Sequence, residues 1–294
     1  MMVNPAVSAL LAQAAAQPHR PQMGLVAIPE RAWIQPGPDL REKLVLKRQL
    51  LAERHDEVFG ALPGTEDAGS EVADLLFDTL PRHFPTTYPR MGSMFAIAAT
   101  SELIGMRSPG LHPLDLAGRI VPDDLCLMQA DASGTYRLTA ASLCFPSRWR
   151  LHEKLGRPVG EIHEPVPAYG EVLQRPVDRF FGALAQGRIV QRVNWTIHDR
   201  PDLFQPQSPR RHEVPPERFG SDLFLRSERQ TLRRLARSQA ILFTIDTQRW
   251  PLAELSPEDA RNLGAAIAQL PEPERRYKGV SALADGLAAW LARR

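Results

Sequence analysis

The chain has 294 residues, 43% of them apolar and 24% charged, with a formal net charge of +2; that is enough to bury a core in one large domain or two small ones, and it excludes global disorder. A charge so near zero gives no broad basic surface for nucleic acid. Two cysteines, Cys126 and Cys144, without a CxxC, cannot build a four-cysteine zinc or iron–sulfur centre, and no apolar run reaches the roughly 20 residues that span a bilayer.

The Ala-rich run 6–16 has no positively charged segment before it, so it reads as part of a flexible tail over 1–22, not as a secretion signal. On that reading the protein is cytoplasmic and a single domain occupies 23–294. Residues 23–38 form an extended entry ending in Gln35-Pro36-Gly37-Pro38. Leu40, Leu44, Leu51 and Val58 then fall on one face of a helix running to about Phe59, with Lys43, Lys47 and Arg48 among the charges between them. A second helix is predicted over 67–80 from Val72, Leu75, Leu76 and Leu80. Residues 81–89 are rich in proline and aromatics, and 92–107 have little pattern.

Two apolar runs, 124–129 and 136–145, flank the turn Asp131-Ala132-Ser133-Gly134 and predict a β-hairpin. A charged helical stretch follows, then Ile162-His163-Glu164-Pro165-Val166-Pro167, and a helix over 169–184. Ile189, Gln191, Val193, Trp195 and Ile197 alternate as in a strand. Residues 205–219 are a Pro/Arg-rich loop, while 223–229 and 240–247 are further strands. Ser256 caps a helix with Glu258 and Asp259 in its first turn, and a last helix covers 280–291. The sum is an α+β chain: about five antiparallel strands backed by helices, with helical segments at both ends.

His163 stands out because prolines stiffen its segment, which suits a pre-organised ligand. An isolated loop histidine is, however, more often a hydrogen-bonded structural residue. His198, in Asn194-Trp195-Thr196-Ile197-His198, is the second candidate. His19, His55, His83, His112, His152 and His212 have no obvious partners, and His152-Glu153 lacks the second histidine of HExxH. Arg226 and Glu228 share a face of their strand; such a pair either binds a charged group and moves protons or is a plain ion pair. Trp195 is a flat surface for a cofactor or an ordinary core residue. No GxGxxG, GxxxxGK[ST] or GxSxG is present, so electrons for any redox chemistry would come from another polypeptide.

Six segments in order then resemble the haem-dependent oxidative N-demethylases, the haem-binding subunits of dimethylamine monooxygenase and its relatives. They are 50–64 (LLAERHDEVFGALPG), 124–129 (DLCLMQ), 143–167 (LCFPSRWRLHEKLGRPVGEIHEPVP), 176–181 (PVDRFF), 194–204 (NWTIHDRPDLF) and 225–247 (LRSERQTLRRLARSQAILFTIDT). The resemblance runs from about Trp33 to beyond Pro251. It implies a PAS-like sheet, haem b and dioxygen, with no flavin or iron–sulfur cluster in this chain. It implies oxidation of a small secondary methylamine such as dimethylamine to a primary amine and formaldehyde. Its implied partners are a flavin/[2Fe–2S] reductase and a folate-binding component. It makes His163 the axial ligand of iron, with His198 as the fallback, and places Arg226 and Glu228 at the distal face or the haem propionates. Arg229 belongs to the same motif, Asn194 and Trp195 line the cofactor, and Phe145 ends the strand that walls the pocket. One departure is Gln248-Arg249-Trp250, where the family places an aromatic after Thr247. A PAS-like haem sensor or carrier without turnover is the rival reading, although no output motif follows Pro251.

Overall fold

The structure, a computed structural model, describes residues 3–17, 21–207 and 214–294. Its strands are β1 (Val26–Ile28), β2 (Phe59–Ala61), β3 (Arg90–Met91), β4 (Met94–Ile97), β5 (Glu102–Gly105), β6 (Asp124–Ala130), β7 (Tyr136–Ser142), β8 (Ile189–His198), β9 (Phe224–Arg234) and β10 (Ile241–Pro251). The helices are α1 (Pro5–Ala16), α2 (Leu40–Glu53), α3 (His55–Val58), α4 (Glu66–His83), α5 (Pro113–Gly118), α6 (Val159–Ile162), α7 (Gln174–Ala183), α8 (Phe219–Asp222), α9 (Pro257–Gln269), α10 (Glu272–Tyr277) and α11 (Ala284–Ala292).

The predicted hairpin is β6–β7. Its turn closes because the Asp131 carboxylate accepts from the backbone N–H of Ser133 (2.9 Å) and Thr135 (3.1 Å), and Gly134 supplies φ +83°. The α+β class holds, but the main antiparallel sheet has seven strands, not five, in the order β1-β8-β9-β10-β6-β7-β2. The two extra strands, β1 and β2, are edge segments of three residues each, too short to show a period in sequence. A separate three-stranded sheet, β3-β4-β5, occupies the region that shows little pattern. The tail expected over 1–22 contains α1, which docks: Val7 and Leu11 are buried with Leu263 and Ile267 of α9. Residues 1, 2 and 18–20, including His19, and residues 208–213 of the predicted loop, including His212, lie outside the described residues. Among the described residues no helix is long and apolar enough to cross a membrane.

Each face of the sheet is covered differently. On one face α2, α4 and α5 pack Leu44, Leu76 and Leu114 with Leu125, Leu127 and Leu242. At the other end of that face α1, α9 and α11 close over Trp195, Leu225 and Trp250. The opposite face carries Cys126, Met128, Val190, Leu232 and Ile245, covered by the segment between β7 and β8.

The helix α2 turns two of its charges away from water. Lys43 and Lys47 lie on the same face as Leu40, Leu44 and Leu51 and are buried. Lys43 Nζ binds Asp246 of β10 at 2.6 Å and Asp39 at 2.9 Å. Lys47 Nζ donates to the carbonyls of Gly118 (3.1 Å), Val121 (3.2 Å) and Asp123. Asp124 in turn accepts from the backbone N–H of Cys144 and Phe145, each at 2.8 Å. Asp123 sits in the same cluster; burial, and after it repulsion from Asp246, push its carboxyl up to about 7. At the neighbouring end of the sheet Arg226 is 1% exposed. Its guanidinium donates to the carbonyls of Phe145 (2.7 Å), Leu203 (3.1 Å), Pro146 (3.3 Å) and Asp202 (3.3 Å), tying two loops to β9.

Arg226→Met should therefore lower the unfolding free energy by about 3–5 kcal/mol in urea titrations, because four buried carbonyls lose a charged donor. For Asp123 the sign follows from its raised pKa. The folded chain holds this proton more tightly than the unfolded one, so the stability it adds is complete below about pH 4. That contribution is lost as pH rises to about 7, with a slope of up to about 1.4 kcal/mol per pH unit. Asp123→Asn should flatten that part of the stability profile; parallel profiles for variant and wild type would mean that Asp123 is ionised throughout.

Candidate cofactor site

The pairing of β8 with β9 sorts the polar residues of both strands by face. Arg192 lies opposite Gln230, Asn194 opposite Glu228 and Thr196 opposite Arg226. Since side chains alternate across a strand, these six share the face that also carries Val190 and Leu232. Trp195, opposite Ser227, and Val193, opposite Arg229, point the other way.

The segment 143–184 lies over the polar face. Leu151, Val159, Ile162, Val177 and Phe181 pack with Cys126, Met128, Val190, Leu232 and Ile245 into one apolar cluster. His163 follows the short helix α6. Its Nδ1 lies 2.8 Å from the carbonyl of Val159, and its own backbone N–H reaches the same oxygen at 3.2 Å. A carbonyl only accepts, so Nδ1 carries the proton and Nε2 keeps its lone pair. Burial holds the imidazole below its ordinary pKa, with Arg192 and Lys154 adding to the effect, so it is neutral at neutral pH. Lys154 also fastens the segment by donating to the Ile162 carbonyl at 2.6 Å.

Beyond His163 the chain takes two uncommon shapes. Ala168 adopts φ +55°, ψ +16°, in the left-handed region, and Tyr169–Leu173 form a π-helical turn ahead of α7. A left-handed alanine costs about 1–2 kcal/mol, so surrounding contacts must hold it. Tyr169 is buried with its ring stacked on His163, centroids 5.0 Å apart and planes 13° from parallel.

Charges converge beside this pair. Burial lowers the Arg192 pKa, while Tyr277, Glu228 and Tyr169 surround and partly restore it. Glu228 accepts from Gln230 at 2.9 Å. Burial, and then the Glu228 charge, push the Tyr277 hydroxyl up to about 12. Lys278, next in sequence, is drawn down to about 8 by burial, against the pull of Glu274 and Glu228. Its ammonium donates to Asn194 Oδ1 (2.8 Å) and the Trp195 carbonyl (2.9 Å) and lies 4.7 Å from the Trp195 ring centroid.

His163, Asn194 and Glu228 thus belong to one side of the sheet, with Arg226 at its end. The structure does not bring the other candidates to them. Trp195 is in the core behind the sheet. Arg229 faces the same way and donates to the carbonyls of Ala32 (3.0 Å) and Trp33 (2.7 Å). Phe145 packs with Leu50, Leu51 and Leu203, its ring 5.7 Å from Lys47 Nζ. His198 has both nitrogens engaged, Nδ1 with Gln205 Oε1 at 2.8 Å and Nε2 with Ser147 Oγ at 3.3 Å. Burial, reinforced by Arg148 and Arg226, drives its pKa down to about 2. The residues that sequence reading misses are Arg192, Tyr169, Tyr277 and Lys278. Only Arg192 had an available signal, an arginine in phase with Asn194 along the strand.

Tyr169 Oη and Arg192 Nε in the site are buried without a partner among the described residues. A neutral imidazole with a free Nε2, an apolar wall and unmet donors form a setting able to hold a flat, metal-bearing, anionic cofactor. Among the described residues no group of three or more His, Cys, Asp or Glu side chains is placed to hold a metal ion. A surface cavity of about 430 Å³, lined by Pro29, Arg31, Gln35, His83 and Phe84, includes none of these site residues. The sequence model of the family described as haem-dependent oxidative N-demethylase, alpha subunit-like, matches residues 24–288, nearly the whole chain, and the protein belongs to that family.

Proposed function

We propose that this chain is the haem-binding oxygenase component that removes an N-methyl group from a small secondary amine such as dimethylamine. The reaction balances as (CH3)2NH + O2 + 2 e− + 2 H+ → CH3NH2 + HCHO + H2O. The observation carrying the reading is the hydrogen bond from His163 Nδ1 to the Val159 carbonyl, which orients a neutral imidazole and leaves Nε2 for iron. His163 would hold haem b against the wall of Val159, Ile162, Val190, Leu232 and Ile245, and the unmet donors of Tyr169 and Arg192 suit its carboxylates. When bound, haem supplies the binding and reductive activation of dioxygen.

The protein's own residues exclude water, place the amine and move protons. Glu228 is the residue for the last two tasks. Its carboxylate lies in a polar stripe with Arg192 and Tyr277, accepts from Gln230, and can pair with a secondary ammonium or pass a proton. Arg226, with its guanidinium given to four carbonyls, anchors the strand that bears Glu228. The PAS-like reading is supported by strand order: counted from Asp124, the central strands β7-β6-β10-β9-β8 run 2-1-5-4-3, with the helical excursion between the second and third over one face. Electrons come from a flavin/[2Fe–2S] reductase, consistent with the nucleotide-binding motifs that the sequence lacks, and formaldehyde passes to a folate-binding component.

The haem-loaded protein should show a Soret band that His163→Ala abolishes or strongly shifts and His198→Ala leaves in place; the reverse pattern would transfer the ligand role to His198. Glu228→Gln should keep the band, while formaldehyde release from dimethylamine under air with a chemical reductant falls by about 10²–10⁴-fold. Unchanged turnover in that variant would remove Glu228 from proton delivery and substrate pairing.

A further inference from the structure

The chain between His163 and Tyr169 takes an irregular path. Pro165 and Pro167 stiffen it, Ala168 is left-handed, and a π-helical turn begins at Tyr169. Each of the last two is a less stable choice than its regular alternative, and such features persist where surrounding structure demands them. Together they return the chain so that a residue six positions after His163 lies flat on its ring. The stack is offset and nearly parallel, 5.0 Å between centroids and 13° between planes, a favoured aromatic arrangement.

A second observation is independent of the stack. Tyr169 is 3% exposed, yet its hydroxyl has no hydrogen-bond partner among the described residues. A phenylalanine would stack equally well and leave no unmet buried donor, so the hydroxyl needs an acceptor from outside the chain. Arg192, whose Nε is likewise buried and unmet, lies within electrostatic reach of both Tyr169 and His163.

We infer that Tyr169 is a positioning residue for the iron-ligating histidine: its ring sets the imidazole plane about the Nδ1–Val159 hydrogen bond, and its hydroxyl donates to an anionic oxygen on the group that His163 holds. The inference rests on His163 being the ligand. It gives the histidine two restraints, one along its hydrogen bond and one across its face, where the bond alone leaves the ring free to rotate. It also explains the strained alanine, since an extended residue at 168 would carry Tyr169 away from the imidazole.

The test uses the full haem-loaded chain and its Tyr169→Phe and Tyr169→Leu variants, with His163→Ala as the control for the underlying reading. Readouts are the Soret band, the line shape of the ferric electron paramagnetic resonance spectrum, and the rate of haem transfer to apomyoglobin. Tyr169→Leu should keep a Soret band but broaden the resonance and speed haem loss by about 10–100-fold, the usual effect of losing a residue that orients a metal ligand. Tyr169→Phe, which keeps the ring, should keep the narrow resonance and lose haem at a rate between the other two. A leucine variant matching wild type in line shape and transfer rate would overturn the positioning role. A phenylalanine variant losing haem no faster than wild type would overturn the role of the hydroxyl. Failure of the underlying reading looks different, because the band would then survive His163→Ala.

Discussion

The register between β8 and β9 is the constraint on which the rest depends. Ten consecutive residue pairs, from Ile189–Arg233 to His198–Phe224, fix which side chains face the helical excursion and which face the helices behind. Because side chains alternate with a period of two, a slip of one residue would send Arg192 and Asn194 into the apolar core and bring Trp195 and Val193 to the site. Both faces are buried, so the register is specified twice, by Val190 and Leu232 on one side and by Trp195 and Leu225 on the other.

Charges taken out of water brace the sheet that carries that register. Lys43 and Lys47 are drawn inward by carboxylates on the sheet and by carbonyls of the loop that feeds β6. Arg226 does the same from within β9 for two loops that converge at the end of the sheet. Burying charges is costly unless every charge finds partners, and here the partners come from segments far apart in sequence. The consequence for the site is rigidity. β9 carries both Arg226 and Glu228, so anchoring the one fixes where the other stands.

Two histidines show how local bonding separates a candidate ligand from a structural residue of the same type. His198 has both nitrogens occupied by side chains and sits among arginines, so it has no free lone pair and no tendency to charge. His163 has one nitrogen tied to a carbonyl and the other unengaged among the described residues, in a place where burial keeps it neutral. Proline spacing hints at the second case, but only the hydrogen bond states it.

Much of this protein was determined by sequence alone. Ordered motifs spread over most of the chain identify the family, and the hairpin of β6 and β7, the strand β8 and the helices α4 and α9 are legible because their turns, alternation and caps are local signals. Glu228 and Arg226 are placed on a common face by simple period-two counting. What only the tertiary structure decided are relations between distant residues: the inward lysines of α2, the edge strands of three residues, the seating of Trp195 and Arg229 behind the sheet, and the grouping of Arg192, Tyr169 and Tyr277 around His163 and Glu228. Amphipathic spacing marks Lys43 and Lys47 as polar and therefore exposed; Asp246, some two hundred positions away, reverses that for Lys43, and the carbonyls ahead of β6 with Asp124 reverse it for Lys47. Tyr169 stacks on His163 just after a left-handed alanine, and no sequence pattern announces a left-handed alanine.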